Sequence, residues 1–190
     1  MLGNIVVISA PSGAGKTTIC DAIIKSDKNI LRSVSYTTRE PRKGEKNSRD
    51  YFFVKETEFK QMLKSKKFVE FAKVHNNYYA TSKDFLNKTL RSGKTILLEI
   101  DVQGALKIKK QYPQSCMIFI MTKNLKVLKQ RLISRNKDSI ETINMRIKNA
   151  KKEIQYLERY DYLVINANLE EVIDSVKTII KSLKYKIIKN

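Results

Sequence analysis

The stretch "ISAPSGAGKTTI", residues 8–19, constrains the fold more than any other part of the chain. It overlaps "NIVVIS", residues 4–9, a continuous apolar and β-branched run of the kind shown by a strand buried in a parallel sheet. A helix is predicted directly after it, from about Lys16 to Ser26. Strand, small-residue turn and helix in that order are the setting in which a phosphate-binding loop works. The full pattern is G-x-x-x-x-G-K-[ST]. Residues 10–17 read A-P-S-G-A-G-K-T, with Ala10 in place of the first glycine. Gly13 and Gly15 let backbone N–H groups approach phosphate oxygens with no Cβ in the way. The helix N-terminus adds its partial positive charge. Lys16 is long enough to reach the β- and γ-phosphates, and the Thr17 hydroxyl suits Mg²⁺. The loop Ser12, Gly13, Ala14, Gly15, Lys16, Thr17 and Thr18 is therefore the expected site of ATP or a similar nucleotide. An ordinary glycine-rich turn is the competing reading, and the Lys-Thr pair opening the helix counts against it.

The rest of the chain extends this start into an α/β domain. "KTILLEI", "SCMIFIM" and "YLVINA" read as further buried strands. "SKDFLNKTLRSG", "DVQGALKIKKQY" and "LEEVIDSVKTIIKSLKY" read as helices between and after them. Such alternation predicts a parallel sheet with helices on both faces. Residues 33–81 depart from it. "SVSYTT", "RDYFFV" and "KFVEFAKVHNNYYAT" are short, aromatic-rich and strand-like, with a polar turn and a short helix, "ETEFKQMLKS", between them. They are expected to form an inserted mixed α+β lobe. Residues 126–159 are helical in pattern and are expected to form a lid, leaving 1–32, 82–125 and 160–190 as the core of a single domain.

With 190 residues and 42% hydrophobic content, the chain can bury a real core. No segment reaches the apolar length of a membrane span, and the apolar start is too short for a signal peptide. The cytoplasm is the expected compartment, and Cys20 and Cys116, which lack metal or redox spacing, are expected to be buried thiols. The net charge of +19 raises nucleic acid as a partner. However, the lysines are scattered through nearly every segment, as on a solvated surface, so no specific nucleic-acid site is expected.

The inserted lobe holds a second concentration of chemistry. Within "SYTTREPRKGEKNSRDYFF", Arg39, Arg42, Arg49 and Tyr51 fall close together, and Pro41 stiffens the turn. Guanidinium forks match phosphate oxygens, and a tyrosine hydroxyl adds a neutral donor. The cluster reads as a second anion site; a solvated basic turn is an equal reading on these residues alone. Glu70 lies between apolar neighbours in "KFVEFAKV". A carboxylate accepts two hydrogen bonds at once, and guanine offers N1–H and N2–H₂ side by side where adenine does not. An exposed strand glutamate is an equal reading of the pattern.

Taken in order, "SAPSGAGKTT", "SVSYTTREPRKGE", "DYFFV", "NNYYATS", "LLEIDVQGA" and "YDYLVIN" resemble the guanylate kinase family across essentially the whole chain. The resemblance implies ATP-dependent phosphorylation of GMP to GDP with Mg²⁺. It implies that Arg39, Arg42, Tyr51 and Tyr79 hold the GMP phosphate, and that Ser35, Glu70, Thr81 and Asp101 surround the guanine. Thr81 would donate to the guanine oxygen, and Asp101 would assist Glu70 at the exocyclic amine. Arg131, Arg135 and Arg146 match lid arginines that act with Lys16 in catalysis, and Asn166 matches a residue near the ATP base. Glu99 stands where many relatives have an Asp that acts on Mg²⁺ through water; its alternative role is a structural partner to a lid arginine. Ala10, Ala80, Asn136 and Ala167 depart from the family pattern. Because the acceptor is a phosphate and not an alcohol, no proton has to be removed, and His75 is expected to be a surface turn residue, not a base. Intact Lys16 and Thr17 count against a non-catalytic interaction module of the same fold.

Overall fold

The computed structural model describes residues 2–74, 76–135 and 138–185. Its centre is a five-stranded sheet built from β1 (Ile5–Ser9), β2 (Ile30–Arg32), β7 (Thr95–Glu99), β8 (Cys116–Met121) and β9 (Tyr162–Ile165). The spatial order is β2-β7-β1-β8-β9, and every pairing is parallel. Parallel neighbours require crossover connections, and helices supply them. These are α1 (Lys16–Ser26), α3 (Lys83–Arg91), α4 (Val102–Gln111), α5 (Leu125–Ser134), α6 (Ile140–Ile154) and α7 (Leu169–Ser182).

Helices cover both faces, which explains the uninterrupted apolar runs of the central strands. In β1, Val6 and Ile8 face a cluster with Ile19, Ile23, Val176 and Ile180 of α1 and α7. Ile5 and Val7 face the opposite cluster, with Leu86 of α3 and Ala105 and Ile108 of α4. The sequence expectation of a doubly covered parallel sheet is met. Strand β2, "ILR", has no counterpart in that expectation. It is three residues long and ends in an arginine, too short to show a periodicity of its own.

The inserted segment forms a second sheet from β3 (Tyr36–Thr37), β4 (Phe52–Phe53), β5 (Phe68–Val74) and β6 (Asn77–Ser82), in the order β4-β3-β6-β5, with α2 (Glu56–Lys64) beside it. Tyr36 stacks on Phe52 at 4.7 Å, and Phe59 of α2 lies 4.9 Å from Phe68 and 5.3 Å from Tyr78. These aromatic contacts stand in for the long apolar strands that the lobe lacks.

The lobe is tied to the core through β5. Phe68 pairs with Ser82 but Glu70 pairs with Thr81, so Val69 is the extra residue of a β-bulge. Val69 enters the core cluster of α3 and α4. Gln111 Nε2 donates to Val69 O at 2.7 Å, and Lys107 Nζ donates to Phe71 O. Among the described residues no helix is long and apolar enough to cross a membrane. Cys20 and Cys116 are both buried, as expected.

Candidate functional site

The loop between β1 and α1 has the backbone of an anion cradle. Gly13 and Gly15 take φ values of 97° and 93°, where a Cβ would be strained. A Cβ on Gly15 would also lie 2.6 Å from Asn166 Nδ2. Asn166 is buried, donates that Nδ2 to Ala14 O at 2.7 Å, and so braces the loop from below. Helices α3 to α7 each begin with a side-chain cap, from Ser82, Asp101, Asn124, Ser139 and Asn168 respectively. Helix α1 has neither a side-chain cap nor an acidic residue in its first turn. Its N–H groups and dipole are thus left facing the loop, ready for phosphate. The replaced glycine, Ala10, packs its methyl against the apolar clusters beneath the loop.

Lys16 leaves the first turn of α1 and reaches Ile100 O, at 3.4 Å, just beyond the end of β7. Thr17 Oγ1 donates to Glu99 Oε1 at 2.6 Å. Glu99 Oε2 lies 3.4 Å from Arg32 Nη2, which in turn pairs with Asp21 at 2.7 Å. The partner of Glu99 is therefore an arginine of β2, not a lid arginine, because β2 and β7 are adjacent and end side by side. Arg32 is a site residue that sequence reasoning missed, for the same reason that β2 was missed.

Two cavities open from this point. One, of about 160 Å³, is lined by Lys16, Ser35, Tyr51, Glu70, Tyr79 and Asp101, among others. The second, of about 220 Å³, holds Thr17, Arg32, Arg39, Arg42, Glu45 and Tyr79 on its wall. They share Ser35, Tyr51, Tyr79 and Glu99. The structure thus brings Ser35, Arg39, Arg42, Tyr51, Glu70, Tyr79 and Asp101 around one cleft, with Lys16 and Thr17 on its opposite wall. Arg49 does not join them: it is exposed and bonds to Asp50 and to Gly44 O. Ala80 sits inside the β6 ladder opposite Tyr36 and Phe71, so the backbone beside Tyr79 is regular strand.

Glu70 is 5% exposed. Its burial pushes the carboxyl up to about 7, against the pull of a hydrogen bond from Thr81 and with the push of the Asp101 charge. Thr81 Oγ1 donates to Glu70 Oε1 at 2.8 Å. A hydroxyl has one proton, so here Thr81 braces Glu70, while the hydroxyl-bearing side chains that line the cavity are Ser35, Tyr51 and Tyr79. Asp101 caps α4 through Gly104 N at 2.9 Å and lines the same cavity. Burial pushes the Tyr51 hydroxyl up to about 12, which keeps it a neutral donor. Arg39 Nη2 donates to both carboxylate oxygens of Glu45, at 2.9 and 3.0 Å, and Arg42 N donates to the same carboxylate at 2.7 Å. Glu45 was not foreseen; its place in the tight turn six residues after Arg39 was the available signal.

The helical residues contribute unequally. Arg146 Nη1 donates to Ser12 Oγ at 2.7 Å and Nη2 pairs with Asp138 at 3.0 Å, so α6 touches the loop directly. Arg131 Nη2 donates to Asn166 O at 3.0 Å. Arg135 ends α5, is exposed, and lines neither cavity. Glu153, on α6, was also missed. It lines a neighbouring space of about 400 Å³ with Asp101, and burial pushes its carboxyl up to about 7. The expectations for His75 and Asn136 fall outside the described residues.

Fold and site together define a phosphate-loop nucleotide-binding protein with a second, side-chain-built anion site facing the loop. The comparisons agree on which one. A family model described as guanylate kinase matches residues 2–183. Over 188 residues the chain is 43% identical to the guanylate kinase of Caldanaerobacter subterraneus subsp. tengcongensis, covering 99% of this chain and 91% of that protein. The guanylate kinase of Helicobacter pylori is 46% identical over 184 residues, covering 97% and 89%. The crystal structure of guanylate kinase from Anaplasma phagocytophilum superposes with a TM-score of 0.81 at 33% identity, covering 97% of this chain and 88% of that one. The chain belongs to the guanylate kinase family.

Proposed function

We infer that this protein transfers the γ-phosphoryl group of ATP to GMP, giving ADP and GDP. The observation that supports it best is that Lys16, from the donor loop, and Glu70 and Tyr79, from the inserted lobe, line one cavity. A donor phosphate on the loop and an acceptor in the lobe would therefore meet across a single cleft. In this reading residues 33–81 are the GMP lobe, 126–159 the lid and the remainder the core.

The chemistry follows from what such a cleft can supply. An oxygen of the GMP phosphate attacks the γ-phosphorus, the bond to the β–γ bridging oxygen breaks, and ADP leaves with that electron pair. The attacking phosphate is already anionic near neutral pH, so no base is needed, and positioning with charge neutralisation carries the catalysis. The loop N–H groups and Lys16 hold the ATP phosphates. Arg39, Arg42, Tyr51 and Tyr79 hold the acceptor phosphate. Arg131, Arg135 and Arg146 approach the transferring group as the lid closes, which also excludes water as a rival acceptor. Glu70, assisted by Asp101, accepts the guanine N1–H and N2–H₂, and Ser35 meets the guanine oxygen.

Mg²⁺ suits the pair formed by Thr17 and Glu99, a hydroxyl and a carboxylate oxygen 2.6 Å apart beside the loop. This cation prefers oxygen donors and takes the rest of its shell from water and phosphate. When bound there it would neutralise charge on the ATP phosphates. The buried thiols fit a reducing cytoplasm.

A coupled ADP-release assay with ATP against GMP, AMP, CMP and UMP in turn tests the reading. Turnover with GMP far above the other three is expected; equal rates, or a preference for AMP, would refute it.

A further inference from the structure

Gly104 lies in the first turn of α4, in the helix proper and without a positive φ. Its backbone N–H receives the Asp101 cap, a service that any non-proline residue would provide. Alanine is a better helix former at such a position. Neither backbone conformation nor capping therefore explains a glycine here; the space beside it does. A Cβ on Gly104 would lie 2.8 Å from Glu70 Oε2, 3.2 Å from Glu70 Cδ and 3.2 Å from Asp101 Oδ1.

The same face of α4 holds the strand that carries Glu70. Lys107 donates to Phe71 O and Gln111 to Val69 O, the two carbonyls flanking Glu70. Positions 104, 107 and 111 follow the three-and-four spacing of one helix face. The helix thus fixes the backbone on both sides of Glu70 through Lys107 and Gln111, and leaves a gap for its carboxylate at Gly104, one turn before Lys107. The other carboxylate oxygen is held by Thr81 at 2.8 Å, so the group is constrained at both ends.

We propose that Gly104 is a positioning residue for base selection: its missing side chain seats the Glu70 carboxylate against α4 at the depth from which it reads the purine. The proposal rests on the reading of Glu70 as the guanine reader. The atom a methyl group would meet is the far end of a side chain, so the fold can absorb the change by moving that carboxylate. The cost then appears in selection and not in folding.

The test compares Gly104→Ala, Glu70→Asp, the pair Gly104→Ala with Glu70→Asp, and Glu70→Gln, using GMP and AMP as acceptors and thermal melting as a control. For Gly104→Ala the KM for GMP should rise about tenfold to a hundredfold, the range for losing one hydrogen bond to a charged group. The preference for GMP over AMP should narrow with it, while the KM for ATP and the melting temperature hold. Aspartate is one methylene shorter and withdraws from the new methyl group, so adding Gly104→Ala to Glu70→Asp should cost less than adding it to the parent. Unchanged GMP preference in Gly104→Ala, or an equal penalty in both backgrounds, overturns the proposal. If Glu70→Gln leaves base preference intact, the reading of Glu70 itself fails, a separate and recognisable outcome. A melting temperature that falls in step with GMP affinity would mark Gly104 as a packing residue only and also overturns the proposal.

Discussion

At the proposed donor loop a ligand would meet backbone: N–H groups freed by Gly13 and Gly15 and the uncapped start of α1. At the proposed acceptor cleft it would meet side chains, Arg39, Tyr51, Tyr79 and Glu70, each placed by short strands and turns. The first construction is local, since the consecutive residues Ser12 to Thr18 supply almost all of it. The second depends on packing between β5, β6, α4 and the turn around Glu45. A backbone cradle recognises phosphate of any nucleotide, whereas the side-chain cleft can distinguish one base from another.

Substitutions should separate the two. Lys16→Met is expected to lower kcat about 10²–10³-fold, as for loss of one electrostatic stabiliser of the transition state. Calorimetry should show GMP affinity changing far less; an equal loss in both would mean that the two sites do not act separately. Glu70→Gln should do the reverse. It should raise the KM for GMP about tenfold or more and erode the preference over AMP, with a smaller effect on the ATP KM. Asn166→Ala removes the donor to Ala14 O in a buried setting and should destabilise the fold by about 1–3 kcal/mol, read by thermal or urea melting. A stability matching the parent would show that the loop holds its shape without that brace.

The smallest effect expected is a pH dependence. The Glu70 carboxyl, raised to about 7, binds guanine donors only when ionised, so GMP affinity should improve severalfold from pH 6 to pH 8. The GMP phosphate also titrates near 6, so Glu70→Gln is the reference, and the difference between the two profiles belongs to Glu70. Stability moves the opposite way. The raised folded pKa disfavours the ionised form, so this group's penalty is absent below its ordinary value near 4.5 and grows as pH rises through about 7. Glu70→Gln should therefore gain stability relative to the parent above pH 7. Superimposable profiles for the two proteins would show that Glu70 does not titrate there.

Legibility in the sequence tracked how local each feature is. β1, the loop and α1 could be read outright, because strand run, glycines and Lys-Thr lie side by side. The helices were readable from periodicity, and Ser82, Asp101 and Asn168 mark their starts. The acceptor residues could be enumerated through family likeness, but their geometry could not. The bulge at Val69 that turns Val69 and Glu70 both inward is invisible in "KFVEFAKV", because it depends on how β6 and α4 meet the strand. Thr81 donating to Glu70, Arg32 reaching Glu99 and Glu153 half-buried near the C-terminal end of α6 are likewise set by partners distant in sequence.

The clasp between Arg39 and Glu45 has a consequence for what the cleft lets in. A chain of net charge +19 gathers anions of every kind around itself. Glu45 already holds Arg39 through Nη2 and Glu40 O holds Nη1, so an incoming anion meets a guanidinium that has partners in place. On the proposed function, a ligand that brings several oxygens and a base docked elsewhere would compete better for this guanidinium than a lone anion, so the resident glutamate would act as a screen against incomplete ligands.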